Sequence, residues 1–100
     1  MSSGKIVAGR DGWTGRETSK VLQEVLADLK ILLFDDQLEV RTLIIQKSTV
    51  IPPSLMMDLL LRKFLRHGNF KNIDKVSISN TPLGGIDKAM MDDVKRDWEE

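Results

Sequence analysis

Apolar positions first take up a helical rhythm at Val21, Leu22, Val25, Leu26, Leu29, Leu32 and Leu33. Spacings of three and four put these side chains on one face, so a helix is expected that runs to about Phe34. Thr14 stands three residues before Glu17, the spacing of a capping box, with Thr18 and Ser19 as alternative caps. Ahead of it, Ile6-Val7-Ala8 is a short apolar piece that suits an edge strand or an ordered arm. Asp35-Asp36-Gln37 breaks the rhythm and suits a turn.

The period then changes. Leu38-Glu39-Val40-Arg41 alternates strictly and Leu43-Ile44-Ile45 continues as an unbroken apolar run, which reads as a strand that enters half-exposed and ends buried on both faces, as in a parallel sheet. After a loop over Ser48 to Pro53, Ser54 is placed to cap a second helix carrying Leu55, Met56, Leu59, Leu60 and Phe64, with Leu61 and Leu65 on a wider stripe. Arg62, Lys63, Arg66 and His67 load its last turns, where the helix dipole favours cations, and Gly68 is the expected left-handed terminator. Ile73 to Ser79 alternates again as a second strand, and Thr81-Pro82-Leu83-Gly84-Gly85 reads as a loop. A third helix is expected from near Asp87, burying Ile86, Met90, Val94 and Trp98, with Met91 on or beside that stripe and an acidic end that opposes the dipole.

The order predicts an α/β fold: a single small domain in (β)αβαβα order, whose two- or three-stranded, mostly parallel sheet is packed by three helices. Residues 1–13 are set apart as a flexible or partly ordered arm and 14–100 as the domain. The crossover length between strands 38–46 and 73–79 makes them parallel neighbours with a right-handed connection.

Composition narrows the chemistry. The chain has no cysteine and one histidine, which excludes disulfides and leaves too few ligands for a structural zinc site. No metal or cofactor is expected. Charges interrupt every apolar stretch before it reaches membrane-spanning length, so no membrane partner is expected. A small extracellular domain more often carries disulfides, so a cytoplasmic setting is expected. Lys+Arg and Asp+Glu are both 15, which leaves no bulk field toward nucleic acid, only local patches.

Two such patches stand out. Arg62, Lys63, Arg66, Lys71 and Lys75 face a single acid, Asp74, with His67 and Phe70 among them. They offer a docking surface for an acidic or mixed protein surface, or phosphate contacts for RNA with Phe70 to stack, against the commoner role of complementing a helix dipole. The loop Gly9-Arg10-Asp11-Gly12-Trp13-Thr14-Gly15-Arg16 lies between a short strand and a helix start, a layout that cradles phosphate. Its glycine spacing matches neither the P-loop nor the dinucleotide fingerprint. Trp13 in that loop either folds onto the core or anchors a partner. His67 beside a helix-ending glycine leaves no base for a serine triad, so no enzymatic function is expected.

Gly4-Lys5-Ile6-Val7, Gly15-Arg16-Glu17-Thr18-Ser19-Lys20 and Leu43-Ile44-Ile45 leading to Pro52-Pro53 faintly resemble the kink-turn RNA-binding ribosomal proteins, over less than a third of the chain. The asparagine that precedes the family's glutamate and its opening helix are absent here. The resemblance implies RNA contact at Arg16, Glu17 and Lys20. The leading expectation is a non-enzymatic adaptor or regulatory domain that docks on another protein through the basic helix end and adjoining loop. The alternative is a small RNA-binding protein that uses the same patch and the 9–20 loop.

Overall fold

The computed structural model describes residues 2–35, 38–78 and 85–99. Three parallel strands, β1 (Ser2–Gly9), β2 (Leu38–Gln46) and β3 (Lys75–Ile78), lie side by side in chain order, and a two-residue β4 (Gly85–Ile86) pairs antiparallel with β3. Helices α1 (Thr18–Leu32), α2 (Pro53–Leu55) and α3 (Lys88–Trp98) complete the fold, with α2 continuing as a π-wound segment over Met56–Phe64. The expected α/β class and the parallel pairing of the two central strands are both present. Within the stretch 1–13 set apart as an arm, Ser2–Gly9 forms the edge strand offered as one reading of Ile6–Ala8, pairing along its whole length with β2. The turn expected at Asp36-Gln37, and the loop expected over 81–84, lie outside the described residues.

Both connecting helices, α1 and the α2–π segment, pack on one face of the sheet, as crossovers of one hand in sheet order 1-2-3 require. That face carries Leu43, Ile45, Val76, Ile78 and Ile86, all buried in one cluster with Val21, Leu22, Val25 and Leu29 of α1 and Met91 and Val94 of α3. In α3 it is therefore Met91, rather than Met90, that is fully buried, and Ile86 is buried from β4. Asp87 caps α3 by accepting from Met90 N at 3.1 Å.

The other face of the sheet has no helix on it among the described residues. Ile44 is half-buried there, and the reading of β2 as buried on both faces is corrected by a bulge. Gly4 pairs with Val40 and Lys5 with Thr42, so Arg41 has no counterpart in β1. One extra residue reverses the phase of the pleat, so that Val40 before it and Leu43 and Ile45 after it all point inward. Gly4 accepts the distortion on the opposing strand with a φ of 103°.

The expected capping box is absent. Glu17 is the N-cap of α1 without a side-chain bond, and the two threonines bind elsewhere. Thr14 Oγ1 donates to Lys47 O at 3.3 Å and Thr18 Oγ1 to Val50 O at 3.1 Å, tying the loop after β1 to the loop after β2.

The second helix ends at Phe64, ahead of the glycine expected to stop it, and Gly68 instead opens the 3₁₀ turn Gly68–Phe70 in the expected left-handed conformation. Gly68 has a φ of 61°, and a Cβ there would lie 2.8 Å from Leu33 Cδ2 and 3.2 Å from Leu33 O. Gly68→Ala should therefore destabilise the fold by about 1–3 kcal/mol, through left-handed strain and displacement of the end of α1. Urea unfolding measures this, and an unchanged midpoint would refute the close approach.

Candidate functional site

The basic cluster read from the sequence divides in two. Arg62 Nε donates to Asp97 Oδ2 at 2.9 Å and Arg66 Nη2 to Trp98 O at 3.0 Å, so both arginines hold α3 against the π segment. The Trp98 indole completes this seam by donating to Leu61 O at 3.1 Å. Lys63 lies 3.7 Å from Asp58. The acidic end of the third helix is thus in part the internal complement of the basic helix end. Such exposed pairs contribute little stability each, but they occupy the cations expected to meet a partner.

Two aromatic residues leave the set of contact residues. Phe70 is fully buried, its ring centroid 6.2 Å from that of Phe64, and Trp13 is 1% exposed within the core. Each is a large apolar side chain whose burial outweighs what it would gain at a solvated surface. Arg16 lies 2.6 Å from Glu24, whose carboxylate is held there by charge rather than by an aligned N–H. Lys20 lies 3.5 Å from Glu17 on the exposed first turn of α1. Lys47, just after β2, donates to Asp11 of the loop after β1 at 2.8 Å and holds its carboxyl below the usual carboxylate range. Lys75 is exposed on β3 and faces the open side of the sheet.

The loop half of the cluster remains at the surface, where it meets something the sequence reading passed over. His67 and Lys71 flank the 3₁₀ turn Gly68–Phe70, and that turn seats on the C-terminal end of α1. Asn69 Nδ2 donates to Leu32 O and, at 2.8 Å, to Asp35 O, satisfying carbonyls that a helix end leaves without intrahelical partners. Directly beside this junction Ile31 is 76% exposed and Phe34 85% exposed, one turn apart. Lys30, at the same helix end, and Lys71 are exposed and make no ion pair among the described residues. The junction therefore combines two large exposed apolar side chains with an exposed lysine on each of the two segments that meet there, beside the exposed Asp35.

The signal for Ile31 was present in the sequence. At about 100° per residue it falls almost opposite the buried stripe of α1, so an aliphatic side chain was being spent on a solvent-facing position. The helical rhythm carries α1 to about Phe34, whereas the helix ends at Leu32 and Phe34 projects from the turn beyond it.

Among the described residues no group of three or more His, Cys, Asp or Glu side chains converges as a metal site would require. No helix among them is long and apolar enough to cross a membrane. Compared with family models, curated proteins and solved structures, the chain matches none. The likeness to kink-turn RNA-binding proteins thus rests on the residues quoted for it alone.

Proposed function

We propose that this domain works by docking on a partner protein, without chemistry of its own, through the end of α1 and the turn seated on it. The observation that supports this is the pair Ile31 and Phe34, exposed at 76% and 85% one turn apart. Full burial of each side chain is worth about 1.5–3 kcal/mol, a gain the isolated domain forgoes. Exposed aromatic and aliphatic anchors of this kind supply most of the energy of protein interfaces, with polar groups at the rim. Lys30 and Lys71 at that rim favour an apolar pocket bordered by acids. RNA has less support, because Phe70, the aromatic read as a stacking platform, lies in the core.

The test is the double variant Ile31→Ser, Phe34→Ser, measured against the partner that the wild-type domain retains. Affinity should fall at least about 100-fold, as expected when two anchors are lost, while the thermal midpoint stays within a few degrees because neither side chain is in the core. Undiminished affinity would end the proposal. Binding should also vary only weakly with salt. A steep log–log salt dependence would instead indicate phosphate contacts.

A further inference from the structure

The uncovered face of the sheet carries a pattern that the docking end of α1 does not explain. Sheets of parallel strands occur almost only where both faces are covered, and their strands read as near-continuous apolar runs. Leu43-Ile44-Ile45 is such a run, yet only its odd members are covered. On the open side, Ile44 is half-buried and its neighbour Val7 is 52% exposed. Val7, Ile44 and Ser77 form one row across β1, β2 and β3, and Lys5, Thr42 and Lys75 form the next. The two lysines are exposed, and neither has an ion pair among the described residues. Beyond the bulge, the outward Arg41 is shared between Glu39 and Asp74 at 3.6 Å from each, and Asp74 also meets Lys95.

Lys5 and Lys75 are separated by two strand spacings, about 10 Å. That is the width of an α-helix with its side chains, about 10–12 Å. A helix laid along β2 would set its apolar stripe on Val7 and Ile44, with one lysine on each flank. We infer that this face receives an acidic amphipathic helix of a partner protein, as the missing third layer of the sandwich.

Two other occupants fit less well. A second copy stacked face to face would bring the Lys5–Lys75 row against its own like charges. Single-stranded nucleic acid would find phosphate-binding lysines but no aromatic side chain for its bases, because the described residues of the face include none. The surface lies on the opposite layer from Ile31 and Phe34, so it stands or falls independently of them.

The intact, isotope-labelled chain can be titrated with two synthetic helical peptides that share one apolar stripe, flanked by Glu in the first and Lys in the second, and with an oligouridylate. The Glu-flanked peptide should shift the amides of Val7, Ile44 and Ser77 and bind at least about tenfold more tightly than the Lys-flanked one. The double variant Lys5→Glu, Lys75→Glu should invert that preference, since neither side chain touches the core. Equal binding of the peptides, a preference unchanged by the charge reversal, or no shift at those three amides would each overturn the inference. So would shifts produced by the oligouridylate alone, or by raising the concentration of the chain itself. Ile31→Ser, Phe34→Ser should leave the peptide titration unchanged, which separates this surface from the one at α1.

Discussion

Trp13→Ala should cost the domain about 3–5 kcal/mol, a large share of the roughly 5–15 kcal/mol that holds a domain of this kind together. Trp13 sits at the middle of the loop that joins β1 to α1, and its ring is 1% exposed within the cluster shared by sheet and helices. The loop turns around it, with Trp13 N donating to Arg10 O at 3.3 Å and Arg16 N to Trp13 O at 3.2 Å. Outside, the Arg10 guanidinium lies 5.7 Å from the ring centroid and pairs with Asp28 on the flank of α1. Truncation would open a cavity under the loop and remove the surface on which Arg10 rests. Trp13→Phe should cost much less, about 1–2 kcal/mol, because it keeps a ring, and the indole N–H it removes has no acceptor among the described residues. Chemical unfolding ranks the two variants. In a Trp98→Phe background, the remaining tryptophan should also emit to the blue, as a buried indole does. A W13A variant within about 1 kcal/mol of wild type would mean that the ring does not fill the core.

The same residue shows where sequence reading reached its limit. The α1 stripe, the parallel β2–β3 pair and the left-handed conformation of Gly68 were legible because each follows from local rules: a 3.6-residue period, a crossover of sufficient length, and a position that favours glycine. Trp13 was not, because a lone apolar residue in a polar loop has no periodic neighbours to say which way it faces. The bulge at Arg41 was hidden for a related reason. A one-residue phase reversal and burial on both faces produce the same apolar run, and only the partner strand's register separates them. Charge was the least legible property of all. Arg62 and Arg66 were correctly seen as clustered, but their partners, Asp97 and the Trp98 carbonyl, lie more than thirty positions away. A patch that is unbalanced along the chain can thus be balanced in space. Of the surface that survives, Ile31 is legible from its place opposite the α1 stripe, whereas the Gly68–Phe70 turn beside it enters only when two segments distant in sequence are brought together.

The winding of the second helix leads to the other large effect. Leu65→Ala should destabilise the fold by about 2–5 kcal/mol, and Leu59→Ala by roughly half as much or less. The reason lies in which residues share a face. Met56, Leu60, Leu61 and Leu65 are fully buried, whereas Leu55, Leu59 and Phe64 are only partly so. In an α-helix, at about 100° per residue, Leu65 would point roughly 180° away from Met56. Steps of four, one and four bring all of them to one side only when each turn takes between four and five residues, as i→i+5 bonding requires. Leu65 N donates to Leu60 O at 2.8 Å, and Lys63 meets Asp58 five positions back, a pairing this winding favours. The sequence tolerates either winding, because it offers one stripe through Leu55, Met56, Leu59, Leu60 and Phe64 and another through Met56, Leu60, Leu61 and Leu65. What favours the second is the seam with α3, where Arg62, Arg66 and the Leu61 carbonyl all find partners at once. Urea unfolding of the two alanine variants decides between the windings. If Leu59→Ala proves the costlier, the segment is α-wound and its seam with α3 is not the one that Arg62, Arg66 and the Leu61 carbonyl would form.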